Sequence, residues 1–286
     1  MAECPVTLIP AAELSVSHLA FLINRAYSDY FLSVQLDELQ VARMCDDEDI
    51  DLQKSVVAMI DGEPVGLAFL SLREDRGWVS GVGVHPSWRR RGIALEILRS
   101  IQALARTEGI QILRLEVLEQ NMAGLALYKQ LGFDWERELL VLTLEPGILG
   151  PIELPPGVGK ASPATLLEFY TAFHDMRSPW QREFHSLVHR VFGLAGLGFW
   201  DDQQLVGYLL YQPQSQSWAI YDLAVDPTYP ERLQVAQTLL IALNGALTDA
   251  GSYIINLPVE DSLLPAFTSV YYSVWLRQHE LAWSVK

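Results

Sequence analysis

The chain repeats itself. Asp61-Gly62-Glu63-Pro64-Val65-Gly66 leads into the apolar run Leu67-Ala68-Phe69-Leu70. Asp202-Gln203-Gln204-Leu205-Val206-Gly207 leads into Tyr208-Leu209-Leu210-Tyr211 at an offset of 141 (202 − 61). Val84-His85-Pro86 and Val225-Asp226-Pro227 stand at the same offset of 141 (225 − 84). Further on, Leu115-Glu116-Val117 matches Leu257-Pro258-Val259 at 142 (257 − 115), and Phe133/Trp275 and Glu138-Leu139/Glu280-Leu281 keep that spacing. A near-constant offset across separate elements marks a duplicated structural unit. Between the copies lies Glu145-Pro146-Gly147-Ile148-Leu149-Gly150-Pro151, then Leu154-Pro155-Pro156-Gly157, a Pro/Gly density that ends regular structure. The expected division is therefore residues 1–147 and residues 152–286.

Each copy reads as an α/β unit. In the first, Leu14–Tyr27 has helical periodicity and Leu36–Arg43 is a second short helix. Ser55–Ile60 and Val65–Leu72 form a hairpin around Asp61-Gly62, a standard turn dipeptide, and Trp78–Val84 is a third strand. Gly92–Arg106 carries Ile93, Ile97, Leu98, Ile101 and Leu104 on one helical face; then come strand Ile112–Leu118, helix Met122–Leu131 and strand Leu139–Leu144. This order predicts a mixed sheet with helices on both faces. In the second copy, Ser162-Pro163 and Ser178-Pro179 each read as an N-cap before a first-turn proline, with Gln181 completing a capping box on Ser178.

Composition narrows the partners. Half of the 286 residues are hydrophobic and 19% are charged, which suits a globular chain. The net charge of −15 argues against nucleic acid, whose phosphates need a basic face, and favours cationic partners such as amines. Cys4 and Cys45 are the only cysteines and form no CxxC pair, which fits a reducing compartment. Met1-Ala2-Glu3-Cys4-Pro5 has no basic region before an apolar run, and no apolar run reaches the ~18 residues of a spanning helix. A cytoplasmic protein without membrane contact is expected.

Chemistry concentrates in two stretches of the first copy. Gly81-Val82-Gly83-Val84-His85-Pro86-Ser87-Trp88-Arg89-Arg90-Arg91-Gly92-Ile93-Ala94 reads as a strand, a turn and the start of a helix. Backbone N–H groups converging at a helix N-terminus hold a pyrophosphate if neighbouring side chains let it approach. Gly92 and Ala94 satisfy that, and Arg89, Arg90 and Arg91 add phosphate-binding charge. Gly81 and Gly83 inside a strand mark a bulge or a close backbone approach, and suggest a gap beside Ile112–Leu118 into which an extended ligand arm could lie. The second stretch puts a carboxylate, Glu116, on the next strand, and Asn121 and Tyr128 around the next helix.

Arg89-x-x-Gly92-x-Ala94 resembles the acetyl-CoA signature of the GNAT superfamily of N-acetyltransferases, and Asn121 to Phe133 resembles that family's next block. The resemblance covers about residues 55 to 145. It implies that backbone groups of Val82, Gly83 and Val84 meet the pantetheine, that Arg90 to Ala94, Ile93 included, hold the pyrophosphate, that Asn121 bonds the arm, and that Tyr128 protonates the leaving thiolate. A phenol pKa of about 10, above that of a typical thiol, suits an acid. The Val84 N–H would polarise the thioester carbonyl. Glu116 is the expected base, twelve residues before Tyr128 (128 − 116), a spacing similar to the protein N-terminal alanine acetyltransferase branch. Glu119 and His85 are fallback bases. Tyr27, Asp29 and Tyr30 follow the first helix, where the family admits its acceptor, and an acid among aromatics suits a cationic amine.

The second copy departs from the pattern. Leu233 aligns with Gly92 and Pro258 with Glu116, and Pro227-Thr228-Tyr229-Pro230-Glu231-Arg232 carries acid and proline where arginines would be. A degenerate copy that binds no CoA is expected, similar to tandem acyltransferases of the mycothiol-synthase type. Tyr271 lies one residue off the position matching Tyr128. His185 and His189, four apart on a predicted helix, lack an acidic third ligand beside them, so no metal is expected. The expectation is an acetyl-CoA-dependent transferase acting on a primary amine of a small molecule through a ternary complex. The alternatives are a protein or peptide N-terminal acetyltransferase and a non-catalytic CoA-binding sensor. The chain would be a monomer, a pseudo-dimer of its own halves, or a homodimer.

Overall fold

The computed structural model describes residues 5–214, 217–246 and 250–285; Cys4 lies outside the described residues. In chain order the elements are β1 (Thr7–Pro10), α1 (Val16–Ala26), α2 (Glu38–Asp47), β2 (Val56–Ile60), β3 (Glu63–Arg73), β4 (Arg76–Val84), α3 (Ile93–Thr107), β5 (Ile112–Leu118), α4 (Met122–Gln130) and β6 (Asp134–Leu144). They continue with β7 (Val158–Ala161), α5 (Pro163–Leu167), α6 (Tyr170–Phe173), α7 (Phe184–His189), β8 (Ala195–Asp201), β9 (Gln204–Pro213), β10 (Ser217–Val225), α8 (Arg232–Gly245), β11 (Gly251–Pro258), α9 (Leu264–Ser269) and β12 (Ser273–Ser284).

The chain forms two compact units, and they do not follow the expected division at 147/152. The first comprises Met1–Glu136 and His279–Lys286; the second is Arg137–Gln278. The Pro/Gly connector ends the first copy along the chain. In space, however, β6 pairs with β11 of the second unit through Leu139–Leu144, and β12 lies beside β5 of the first. The sheet of the first unit thus runs β1-β2-β3-β4-β5-β12, and that of the second β6-β11-β10-β9-β8-β7. β4 with β5 and β10 with β11 pair parallel, while β1 with β2, β2 with β3, β3 with β4, β6 with β11, β7 with β8, β8 with β9 and β9 with β10 pair antiparallel, a mixed sheet as expected.

Local chemistry explains the first unit's elements. Ser15 caps α1 by accepting from His18 N at 3.2 Å, and Asp37 with Gln40 forms a capping box on α2. Asp61 and Gly62 both take positive φ, 50° and 80°, the backbone that a tight β2–β3 hairpin requires. α3 buries Ile93, Ile97, Leu98, Ile101 and Ala105 against Ala58, Ala68, Leu70 and Val79. Each fully buried Ile or Leu stabilises the unit by up to about 1.5–3 kcal/mol. α1 buries Leu19, Leu22 and Ile23 with Leu67 and Phe69 in a separate cluster. Trp283 of β12 closes the α3 side: its ring lies 6.4 Å from that of Phe133, and Arg106 stacks over it at 4.7 Å.

In the second unit, Ser162 stands before α5 with Pro163 in its first turn. The capping box expected at Ser178 does not form. Trp180–Arg182 is a single 3-10 turn, the Ser178 hydroxyl receives the Tyr170 hydroxyl at 2.9 Å, and Gln181 accepts from the Asn256 amide at 3.0 Å. Tertiary partners outcompete the local cap. No helix among the described residues is long and apolar enough to cross a membrane.

Candidate functional site

The site grows out of the way β4 ends. β4 pairs with β5 only at Arg76↔Ile112, Gly77↔Leu113 and Trp78↔Arg114; among the described residues no β4–β5 pairing continues beyond them. On its other edge β4 stays with β3, but the register slips between Ser80 and Gly83, a bulge in which Gly81 takes φ +60°. A bulged strand with one freed edge is what the two strand glycines suggested. Gly83 has a second reason to be glycine: a Cβ there would meet Ala26 Cβ at 2.9 Å and Tyr27 Cε2 at 3.0 Å. Its bareness lets the end of α1 rest on β4.

Tyr27 uses that approach to donate its hydroxyl to the Val82 carbonyl at 3.0 Å. Beyond β4, Arg90 at φ +64° and Gly92 at φ +81° bend the backbone into the N-terminus of α3. Gly92 is the N-cap, and a Cβ there would meet nothing within 4 Å. The open space faces a helix end whose first N–H groups lack intrahelical acceptors. The residues present therefore fit a pyrophosphate at this turn. Arg91 lies over the Trp88 ring at 4.6 Å, a stacking partner not anticipated from sequence.

Arg89 does something other than expected. Its Nε donates to Val84 O at 3.0 Å, Nη2 to Ala26 O at 2.9 Å, and Nη1 and Nη2 grip Asp29 at 2.8 and 2.6 Å. These bonds employ all three guanidinium nitrogens within the protein, which leaves Arg90 and Arg91 as the other two arginines of the turn. Asp29 is likewise changed in meaning. The Arg89 hydrogen bonds hold its carboxyl below the usual range, and a carboxylate so paired is a poor anchor for a cationic amine. Only an acid two residues beyond a predicted helix was visible in the sequence; the partner sixty residues later (89 − 29) was not.

A cavity of about 660 Å³ gathers most of the predicted residues, including Tyr27, Asp29, Tyr30, Asn121 and Tyr128, together with Val82–Val84 and the Arg89–Ala94 turn apart from Arg91. Asn121 caps α4 through Gly124 N at 2.9 Å and bonds the Tyr30 hydroxyl. Tyr128 is 6% exposed, and burial pushes its pKa well up. Burial also raises Tyr27 and Tyr30. Phe31 lines the same space, and Tyr27, Tyr30 and Phe31 form successive edge contacts at 5.0 and 5.2 Å.

Glu116 stands apart. It is half-buried on β5, receives the Trp78 indole N–H at 2.7 Å, and is not among the cavity-lining residues. His85 lies at the end of β4 against Arg25, 3.1 Å from its Nη2; burial and that cation lower its pKa. Neither His85 nor Glu119 lines the cavity. Among the described residues, no group of three or more His, Cys, Asp or Glu side chains is gathered to hold a metal.

The second unit repeats the bulge, between Ile220 and Asp222, but fills it differently. Asp222, 141 residues after Gly81 (222 − 81), is fully buried. It accepts from Tyr208 Oη at 2.8 Å and from His174 Nε2 at 3.2 Å, with Arg182 Nη2 at 3.5 Å. At the turn before α8, no residue from Pro227 to Leu233 takes positive φ, and Glu231 occupies the N-cap. The features that fit the first turn to an anion are missing here.

Comparison with known proteins agrees with this geometry. Residues 21–133 match the model of the acetyltransferase (GNAT) family. The whole chain is similar to the GCN5-related N-acetyltransferase from Sphaerobacter thermophilus (TM-score 0.76, 17% identity, covering 99% of this chain and 97% of that one). It is similar also to a tandem GNAT protein from the clavulanic acid biosynthesis pathway (0.75, 15%, 98% and 98%) and to an acetyltransferase of Pyrococcus horikoshii (0.70, 17%, 100% and 92%).

Proposed function

We propose that the first unit, whose residues 21–133 match the acetyltransferase (GNAT) family model within a chain of tandem-GNAT fold, transfers an acyl group, acetyl from acetyl-CoA, to a primary amine of a small molecule. The observation that carries the reading is one cavity bounded by the freed edge of bulged β4, the positive-φ turn at the N-terminus of α3, and the Tyr128 phenol. The turn suits a pyrophosphate, the β4 edge an extended pantetheine arm, and Asn121 a polar contact with that arm.

Transfer is direct. The amine nitrogen bonds to the thioester carbon, the C–S bond breaks, the attacking nitrogen loses a proton to a base, and the sulfur leaves as a thiolate that takes up a proton. Among the described residues no cysteine lines the cavity; Cys45 is on α2, and burial with neighbouring Asp46 and Glu48 pushes its thiol up to about 11. Tyr128, raised by burial, holds its proton throughout the neutral range. Full transfer from so weak an acid to a free thiolate runs uphill, so its contribution is a hydrogen bond that strengthens as charge builds on sulfur. Glu116 is the proposed base. Standing outside the cavity lining and oriented by Trp78, it would take the proton through an intervening water. The paired Asp29 leaves Tyr27, Tyr30 and Phe31 as the character of the acceptor end, which favours an amine with an apolar or aromatic body over a polyamine.

Thiol release from acetyl-CoA with a panel of amines, amino acids, polyamines, aminoglycosides and short peptides tests the reading. Release with one acceptor class, lost in Glu116→Gln and Tyr128→Phe, supports it. Failure of acetyl-CoA to bind by calorimetry removes it.

A further inference from the structure

The freed edge of β4 shows an arrangement that the fold alone does not require. His85 N–H donates to Val65 O at 2.8 Å, and the register pairs Gly66 with Val84 and Leu67 with Gly83. Bonded and non-bonded pairs alternate along an antiparallel ladder. With 65/85 bonded, 66/84 is the non-bonded pair, and the N–H and C=O of Val84 face away from β3. That is the side from which β5 has parted. Arg89 Nε meets the Val84 carbonyl there.

A sheet edge normally alternates acceptors and donors, and a strand laid against it answers both. An acyl thioester does not: it brings a carbonyl acceptor and no N–H. Set against the sequence Val82 O, Val84 N–H, Val84 O, it would satisfy the donor and leave two carbonyls unanswered, their lone pairs beside the oxygen on which charge develops. Here both carbonyls are already answered, Val82 O by the Tyr27 hydroxyl at 3.0 Å and Val84 O by Arg89 Nε at 3.0 Å. Both caps are tied to the end of α1: Tyr27 follows it directly, and Arg89 is held to it through Ala26 O and Asp29.

We propose that Tyr27 and Arg89 are positioning residues that convert the open edge of β4 into a lone donor, the Val84 N–H, matched to the thioester carbonyl. The inference rests on the acyltransferase reading and deepens it. Preorganised donors count most where charge develops, so the caps act on the reacting state more than on binding. They also explain why Gly83 must be bare, since any side chain would push Tyr27 off Val82.

The test is difference infrared spectroscopy of the enzyme with acetyl-CoA carrying carbon-13 at the thioester carbonyl, in the parent, Tyr27→Phe and Arg89→Met. Phe keeps the ring on Gly83, and Met keeps most of the Arg stem; thermal melting confirms that each folds. In the parent, the bound carbonyl stretch lies below that of free acetyl-CoA. In each variant it moves back toward the free value, and kcat falls about three- to tenfold, the range of one ordinary hydrogen bond, while the dissociation constant of acetyl-CoA changes less. An unshifted stretch in the parent complex, or the parent's stretch retained in both variants, overturns the proposal and leaves the acyltransferase reading standing. Failure of the parent to bind acetyl-CoA overturns both.

Discussion

Arg89 grips both carboxylate oxygens of Asp29, at 2.6 and 2.8 Å, while its remaining bonds reach the carbonyls of Ala26 and Val84. The ion pair joins the residues after α1 to the turn after β4. Because both partners are substantially exposed, with side-chain exposures of 40% and 52%, it contributes at most about 1 kcal/mol to stability. Asp29→Asn should barely shift the melting temperature at pH 7, yet loosen Arg89 and lower kcat. The Asp29 carboxyl is depressed in the folded state, so its small contribution is present above about pH 4 and is lost as pH falls through the lower folded value. Melting curves of parent and variant between pH 2 and 7 check this: they should converge at the acid end.

Gly92→Leu separates folding from binding. Positive φ costs a residue with a Cβ about 1–2 kcal/mol, but no atom lies within 4 Å to clash. The variant should fold with a modest loss of stability and lose acetyl-CoA binding by calorimetry, because its side chain projects into the space assigned to the pyrophosphate.

Tyr128→Phe removes one hydroxyl from a buried ring and should change stability by no more than about 1 kcal/mol. Loss of the hydrogen-bond donor to the leaving sulfur should lower kcat by about ten- to a hundredfold, with KM for acetyl-CoA nearly unchanged. Since burial raises the phenol, the parent's kcat should show no alkaline decline from Tyr128 below about pH 10. A pH–rate profile for each enzyme measures both effects.

What the sequence disclosed and what it hid have physical causes. Helices α1, α3 and α4, the hairpin at Asp61-Gly62 and strand β5 were legible because apolar periodicity and turn chemistry act over a few residues. The bulge was legible through Gly81 and Gly83. The role of Arg89 was not, since an arginine beside a phosphate-binding turn looks the same whether it faces a ligand or Asp29. Nor was the placement of Glu116 beside Trp78, which follows from a three-residue β4–β5 register that no local pattern encodes. Strand β6 was recognised from Leu139, yet the sheet it joins was not, because apolar alternation says which face is buried and is silent about which neighbour buries it.

The second unit should respond to pH through Asp222. His174 offers Nδ1 to Tyr170 O at 2.8 Å and Nε2 to Asp222 at 3.2 Å; both partners only accept, so both nitrogens carry protons. Burial by itself would lower the His174 pKa, but Asp222 and the Tyr170 carbonyl outweigh burial and nearby Arg182 and raise it. A raised folded pKa gives stability that is fully present below about pH 6.5 and is lost as pH rises through the folded value. The melting temperature should therefore fall from pH 6 toward pH 9. Asp222→Ala, which strands a buried cation, should cost about 3–5 kcal/mol, measurable by chemical denaturation.

Trp283→Ala should destabilise the first unit by about 3–5 kcal/mol, the usual loss for a buried Trp; the residue is 7% exposed and packs on Phe133 and Arg106. The predicted signature is earlier loss of acetyl-CoA binding on heating, with the second unit's transition following separately.

That tryptophan belongs to a segment made after the whole of the second unit. Residues 1–136 can collapse during synthesis, but their sheet lacks its β12 edge until residues 279 onward arrive. The half of the chain that carries the proposed acyl site is started first and completed last. A chain cut or stalled anywhere in the second unit would leave the β5 edge bare, with its backbone donors and acceptors open to stray strands. Duplication here has produced a first unit that draws strands from both ends of the chain, and a deletion meant to isolate it would remove part of its own sheet.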